Sequence, residues 1–203
     1  MTTATGAARR MRAPARREQL LLVTAQLAVE QSFHAVSIEA VAQRAGVTRA
    51  VIYQHFDDLQ ALLEAVVDRE MSQAQEQVTP TTPTDLGSGA ASDILLRGLA
   101  AFLTAVRDHP RTWRLVLMPP EGAPELLGRR IARGRRTVLR QLAVAVEGGL
   151  SGSAVGDAEL TAHLLSAISD EYARLVLTDP DRFSPERLLE HARWWLAQSS
   201  FGM

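Results

Sequence analysis

The chain of 203 residues carries 22 Lys and Arg against 23 Asp and Glu, a formal charge of −1, no cysteine, and 46% hydrophobic residues with only 5% aromatic. That apolar share is ample for a core and unlike a disordered chain, and the lack of cysteine excludes disulfides, thiolate metal sites and thiol nucleophiles. No apolar run approaches the roughly 20 residues that cross a bilayer, and Met1 to Arg17 lacks the apolar stretch of a secretory leader, so no membrane partner is expected and the cytoplasm is the expected compartment.

In chain order the sequence predicts nine helices. Leu20, Leu21, Val23, Thr24, Leu27, Ala28 and Gln31 recur at three- and four-residue intervals, which predicts a first helix over about 16–32. Ser37 stands in N-cap position before a second, about 38–45, and Gly46 breaks the pattern. Thr48 can cap a short third helix through His55. The Asp57-Asp58 pair can cap a fourth that carries Leu59, Leu62, Leu63, Val66 and Val67 and reaches about Gln77. Residues 78–91, rich in Pro, Thr, Gly and Ser, read as a loop.

Three helices follow, each with a mechanical stop: Ser92 to His109 before Pro110, Arg111 to Met118 before Pro119-Pro120, and Pro124 to Glu147 before Gly148-Gly149. Asp157 can cap an eighth helix to about Leu177, and Ser184-Pro185 starts a ninth through Gln198. There is no alternating strand pattern and no internal repeat. The expected fold class is therefore all-α, which leaves no parallel sheet for a P-loop or Rossmann nucleotide site.

The near-zero total charge hides a polarity. Residues 1–56 hold seven Arg and three acids, +4, whereas residues 57–203 hold fifteen Arg and twenty acids, −5. A basic first quarter on an acidic remainder points to an anionic partner at one end.

That end contains the most informative segment, VSIEAVAQRAGVTRAVIYQHF from Val36 to Phe56. Two short helices packed at a steep angle need a small residue where their axes approach, a glycine in the turn, and apolar residues that lock the pair. Ala42, Gly46 and the set Ile38, Val41, Val47 and Ile52 meet those needs, so the segment reads as a helix-turn-helix; a plain helical hairpin is the alternative. Once the apolar positions are set aside, the second helix offers Thr48, Arg49, Ala50, Tyr53, Gln54 and His55. These supply small residues for close approach, an Arg for guanine, an amide for adenine, and hydroxyl or imidazole groups for phosphate.

The stretch from Phe33 to Leu63, with AVAQRAGVTRAVIYQHF followed by an LLEAV helix, resembles the N-terminal domain of TetR-family transcriptional regulators. The likeness is specific over roughly the first 70 residues and only architectural beyond them. It implies that Ser37, Thr48, Tyr53 and His55 contact phosphates and that Arg49, Ala50 and Gln54 lie nearest the base edges of double-stranded operator DNA. Two positions depart from the family pattern: Ser32 stands where a Gly is common, and Leu59 where a Lys commonly reaches phosphate. Arg44 or the arm arginines Arg9, Arg10, Arg12, Arg16 and Arg17 are the candidate replacements. Two roles are open for the arm, groove or phosphate binding and a solubilising tail, and two for Tyr53, closing the core and carrying a hydroxyl to phosphate. Glu39, early in the second helix, either accepts from a cytosine amino group or pairs with an arginine.

The same resemblance divides the chain into a flexible basic arm at 1–15, a helix-turn-helix domain at 16–57 and a ligand-binding and dimerisation domain at 58–203. It implies a homodimer through the last two helices, whose adjacent Trp194 and Trp195 diverge by about 100° so that one can pack inside and the other face a partner. An unknown small organic effector is expected among the middle helices, with Phe102, Trp113, Leu117, Met118, His163 and Tyr172 as candidate lining residues. The arginine run from Arg129 to Arg140 reads as a solvated face paired with local acids. Catalysis has no coherent site: the five His lack metal-ligand spacing, Asp170-Glu171 diverge on a helix, and Ser151-Gly152-Ser153 has no nearby base. The expectation is a ligand-responsive repressor without enzyme activity, cofactor or metal. The alternatives are an all-helical adaptor without DNA binding and a small helical enzyme.

Overall fold

The computed structural model describes residues 11–86, 90–149 and 157–198. Within them the chain forms helices α1 (Ala13–Gln31), α2 (Ile38–Ala45), α3 (Arg49–Tyr53), α4 (Leu59–Val78), α5 (Ala91–Asp108), α6 (Pro110–Leu117), α7 (Glu125–Gly149), α8 (Ala158–Thr178) and α9 (Pro185–Ala197), with one 3-10 turn at Phe33–Ala35. The described residues contain no strand, so the fold is all-α as expected. Arg9, Arg10 and Ser151 to Ser153 lie outside them.

Local chemistry sets most boundaries. Side-chain caps act at four of the five expected positions: the Ala40 amide donates to Ser37 Oγ at 3.1 Å, the Ala61 amide to Asp58 Oδ1 at 2.7 Å, the Leu160 amide to Asp157 Oδ1 at 3.0 Å, and the Arg187 amide to Ser184 Oγ at 3.3 Å. Thr48 precedes α3 without a side-chain cap bond, and that helix ends at Tyr53, short of the expected His55. Helix α1 starts earlier than its apolar pattern suggests, because Pro14 sits in its first turn and residues 13–19 are too exposed to leave a periodic signal. Helix α7 carries on through Gly148, which was expected to stop it. Pro110 does double duty, ending α5 and opening α6, since its missing amide proton costs nothing in a first turn.

Three apolar clusters organise the molecule. In the first, Leu20 of α1, Val41 of α2, Ile52 of α3 and Leu62 of α4 are fully buried, and Leu115 of α6 and Leu127 of α7 join them. The second gathers Ala74 of α4 with Phe102, Val106, Trp113, Ala173 and Leu188. The third surrounds Leu86 with Leu95, Val146 and Leu196. Helix α4, about 30 Å long at 1.5 Å per residue, thus belongs to the first cluster at one end and the second at the other. The segment after α4 lies on α5, where a Cβ on Gly98 would come within 2.5 Å of the Thr81 carbonyl oxygen. Gln141 of α7 holds the same segment, donating to the Thr82 carbonyl at 2.9 Å.

Candidate nucleic-acid interface and the cavity behind it

The turn between α2 and α3 is closed by backbone alone. Gly46 takes the left-handed conformation (φ 66, ψ 38), the Val47 amide donates to the Ala42 carbonyl at 3.0 Å, and the Gly46 amide to that of Gln43 at 3.2 Å. This pair of reversed bonds ends α2 and sends the chain sharply into α3, in a conformation that costs glycine little. Ile52 and Phe56 are buried beneath, and Thr48, Arg49, Ala50, Tyr53 and Gln54 lie together on the outer side, with His55 half-buried at its edge. Of the two roles open for Tyr53, core closure falls to Ile52 and Phe56; the Tyr53 ring is 47% exposed.

Arg49 and Glu39 meet on this surface, Nη1 to Oε1 at 2.8 Å, which resolves the position of the acid in favour of an arginine partner. The neighbouring Tyr53 side chain first, and then the Glu39 charge, raise the Arg49 pKa, while the guanidinium itself stays exposed. Ser37 spends an acceptor lone pair on its cap and keeps its O–H to donate. Arg44 turns the other way and pairs with Glu30 of α1. Leu59 packs on the first cluster, and Arg17 lies over the Phe56 ring at 4.9 Å, holding α1 to the end of the helix-turn-helix. Arg12 is exposed immediately before α1.

Behind this head a cavity of about 160 Å³ is walled by α4 to α9. Phe102, Trp113 and Leu117 of the expected lining residues do border it. Met118, His163 and Tyr172 do not: Met118 and His163 are exposed, and the Tyr172 hydroxyl is 2.6 Å from His191 Nδ1 in the α8–α9 seam. Sequence reasoning missed Gln75, Arg135, Ser166, Asp170 and Trp195, which also border it. The signal was present in the i, i+4 spacing of Ser166 and Asp170, but apolar periodicity marks the inward face by its hydrophobic residues and does not show that polar ones on α8 border a cavity. Asp170 and Glu171 diverge as expected, the first pairing with Arg135 at 2.6 Å and the second with Arg174 at 3.2 Å. Along the arginine run, Arg129 pairs with Glu125 and Arg130 with Asp68.

A buried polar link that no local sequence pattern announces fastens α4 to α6. Glu70 of α4 is wholly inaccessible; Thr112 Oγ1 of α6 donates to its Oε2 at 2.5 Å, and Arg69 and Arg111 pair with it. Arg69 also donates from Nε to Glu18 Oε1 of α1 at 2.7 Å. Elsewhere, Leu160 and Leu164 of α8 and Trp194 of α9 are each more than 60% exposed, while Trp195 packs inward on the third cluster. No described helix is long and apolar enough to cross a membrane.

Comparison with known proteins gives the following likenesses. The profile of bacterial regulatory proteins, tetR family, matches residues 20–66, the segment holding α2, α3 and the cores of α1 and α4. A transcriptional activator of Mycolicibacterium smegmatis, FasR, is 39% identical over 101 residues, which is 50% of this chain and 45% of that relative; the match thus spans about half of each protein. Among solved structures, a TetR-like regulator from Rhodococcus superposes with a TM-score of 0.71 at 21% identity, covering 94% of this chain and 100% of that one. The fatty acid degradation regulator FadR of Bacillus halodurans gives 0.67 at 15%, covering 94% and 98%. A transcriptional regulator of Saccharomonospora viridis, solved with choline, gives 0.65 at 19%, covering 92% and 97%. At these identities the superpositions show a shared fold.

Proposed function

We propose that the chain, whose residues 20–66 match the profile of bacterial regulatory proteins, tetR family, is a dimeric, DNA-binding transcriptional repressor of that family, released from its operator by a small organic molecule in the cavity between α4 and α9. One observation carries the DNA part: α3 is buried on one side by Ile52 and presents Thr48, Arg49, Ala50, Tyr53 and Gln54 on the other. Arginine and amide side chains on a short, steeply packed helix suit base edges in a major groove. Ser37, Thr48, Tyr53 and His55 are assigned to phosphate, and Arg49, Ala50 and Gln54 to bases. Arg44, committed to Glu30, is the least available member of the set. In place of a Lys at Leu59, Arg12 and the arginines before it serve as a basic arm.

The effector part is supported by a largely apolar cavity beside α4, the helix shared by head and body, and by the choline-bound relative as precedent for a small molecule in this fold. The dimer part is supported by the bare apolar side chains of Leu160, Leu164 and Trp194 on the last two helices. Linkage then requires that the effector weaken DNA binding by the factor with which DNA weakens effector binding.

Selection of bound sequences from a random DNA pool by the purified protein tests recognition. The expected product is an imperfect palindrome, since a two-fold dimer sets two copies of α3 in successive major grooves. Absence of both enrichment and low-salt DNA binding would leave an all-helical adaptor as the reading. Deleting residues 1–15, which removes Arg9, Arg10 and Arg12, should reduce the slope of log affinity against log salt by about 0.9 for each phosphate that the arm neutralises; an unchanged slope would make the arm a tail. Transcription from the selected site in vitro reads the sign, and a rise on adding protein would replace repression by activation, the role named for the Mycolicibacterium relative.

A further inference from the structure

The walls of the cavity limit what can enter it. Phe102, Trp113 and Trp195 supply aromatic surface, with the first two meeting edge to face at 4.9 Å. Its volume of about 160 Å³ is close to the roughly 150 Å³ apolar cavity that holds a single benzene ring. One patch of wall is charged: Asp170 of α8 faces Arg135 of α7 at 2.6 Å, with Ser166 and Ser169 beside Asp170 on the same helix.

The two members of that pair are unequal. The Asp170 side chain is 14% exposed and that of Arg135 is 41% exposed. Asp170 Oδ2 is moreover a buried oxygen without a hydrogen bond: the guanidinium approaches closely but aims no N–H at it. An anionic ligand would have to draw Arg135 to itself and leave Asp170 buried, unpaired and adjacent to a second negative charge, which is the costly way to break such a pair. A cationic ligand makes the opposite exchange. Its N–H groups take Asp170 Oδ2, Arg135 turns outward into water it already half occupies, and the aromatic walls favour the positive charge.

We propose that this cavity binds a protonated amine with an apolar body about the size of one ring, its ammonium on Asp170 and its body against Phe102, Trp113 and Trp195. The assignment rests on the cavity being the effector site and names its ligand class. Arg135 acts in it as an internal stand-in for the ligand's cation, occupying the carboxylate when no amine is present.

Calorimetric titration of the full chain with 2-phenylethylamine, 2-phenylethanol and phenylacetate at neutral pH compares three heads on one body. The amine should bind at least about tenfold more tightly than the carboxylate, with the alcohol between them. Asp170→Asn should bring the amine down to the level of the alcohol while alcohol binding persists, which also reports an intact cavity. Arg135→Gln, which removes the competitor without touching Asp170, should tighten the amine several-fold and stands as the test if Asp170→Asn does not fold. Carboxylate binding as tight as the amine, no binding of any of the three, or weaker amine binding to Arg135→Gln would overturn the proposal. DNA affinity is measured separately with amine at saturation: amine binding that leaves it unchanged would keep the ligand class and overturn the effector reading.

Discussion

Glu39 is an acid on the surface assigned to DNA, and its contact with Arg49 at 2.8 Å gives it a use. An unpaired arginine there would hold any phosphate, whereas one paired with Glu39 gains most from a partner that satisfies its fork, as a guanine edge does. Arg49→Ala should therefore cost roughly 1–3 kcal/mol on the selected operator and little on random DNA; equal losses on both would assign Arg49 to phosphate. Glu39→Gln should do the reverse, tightening binding to random DNA by roughly three- to tenfold at low salt and narrowing the margin between specific and random sites. An unchanged margin would make the pair a surface contact without a part in recognition. A second residue-scale result concerns Ser32, whose backbone (φ 103, ψ 164) lies in a region that glycine occupies readily and other residues almost never. The family pattern flagged this position without saying why; the reason is the abrupt exit from α1 into the turn that buries Phe33. Ser32→Gly should relieve strain in excess of its added chain entropy, by about 1 kcal/mol, and raise Tm by roughly 2–4 °C. A lowered Tm would mean that the hydroxyl or the turn compensates in full.

Among the elements, α4 and α6 are fastened through Glu70. Thr112 satisfies one carboxylate oxygen, Arg69 and Arg111 supply charge, and Arg69 extends the link to Glu18 of α1. Removing a carboxylate from such a site strands the arginines, one of which is almost buried itself, so Glu70→Ala should cost about 3–5 kcal/mol in urea unfolding. A loss under about 1 kcal/mol would show that the cluster is solvated or relaxes without it. The link also bears on what a sequence can reveal. Caps, prolines and glycines act on their near neighbours, and for that reason Ser37, Asp58, Asp157 and Ser184 mark helix starts that can be read from the chain alone. Glu70 lies in an exposed-looking run of polar residues after Val67, and only the arrival of α6, 42 residues further on, makes it a core residue.

For the whole molecule the open question is what covers Leu160, Leu164 and Trp194. A second copy of the chain, paired through α8 and α9, would cover them in both subunits at once and set the spacing of the two α3 helices. Introducing Leu164→Glu together with Trp194→Glu should convert the protein to a monomer by sedimentation, since burying two carboxylates in an apolar seam is strongly unfavourable, and palindrome binding should fall while the helix content stays unchanged. A double variant that stays dimeric would place the dimer seam elsewhere.

By itself the sequence determined the all-α fold, most of the helix starts and stops, the helix-turn-helix with its Gly46 turn, and the polarity between a +4 head and a −5 body. These follow from periodicity, caps and backbone preferences that act over a few residues. The tertiary structure alone decided that Arg49 meets Glu39, that Arg44 is spent on Glu30, that Glu70 joins α4 to α6, and that Asp170 with Arg135, rather than Tyr172 with His163, borders the cavity. Each of these depends on which faces of distant helices are brought together. That choice is made by the packing of the whole apolar core, and no local pattern encodes it.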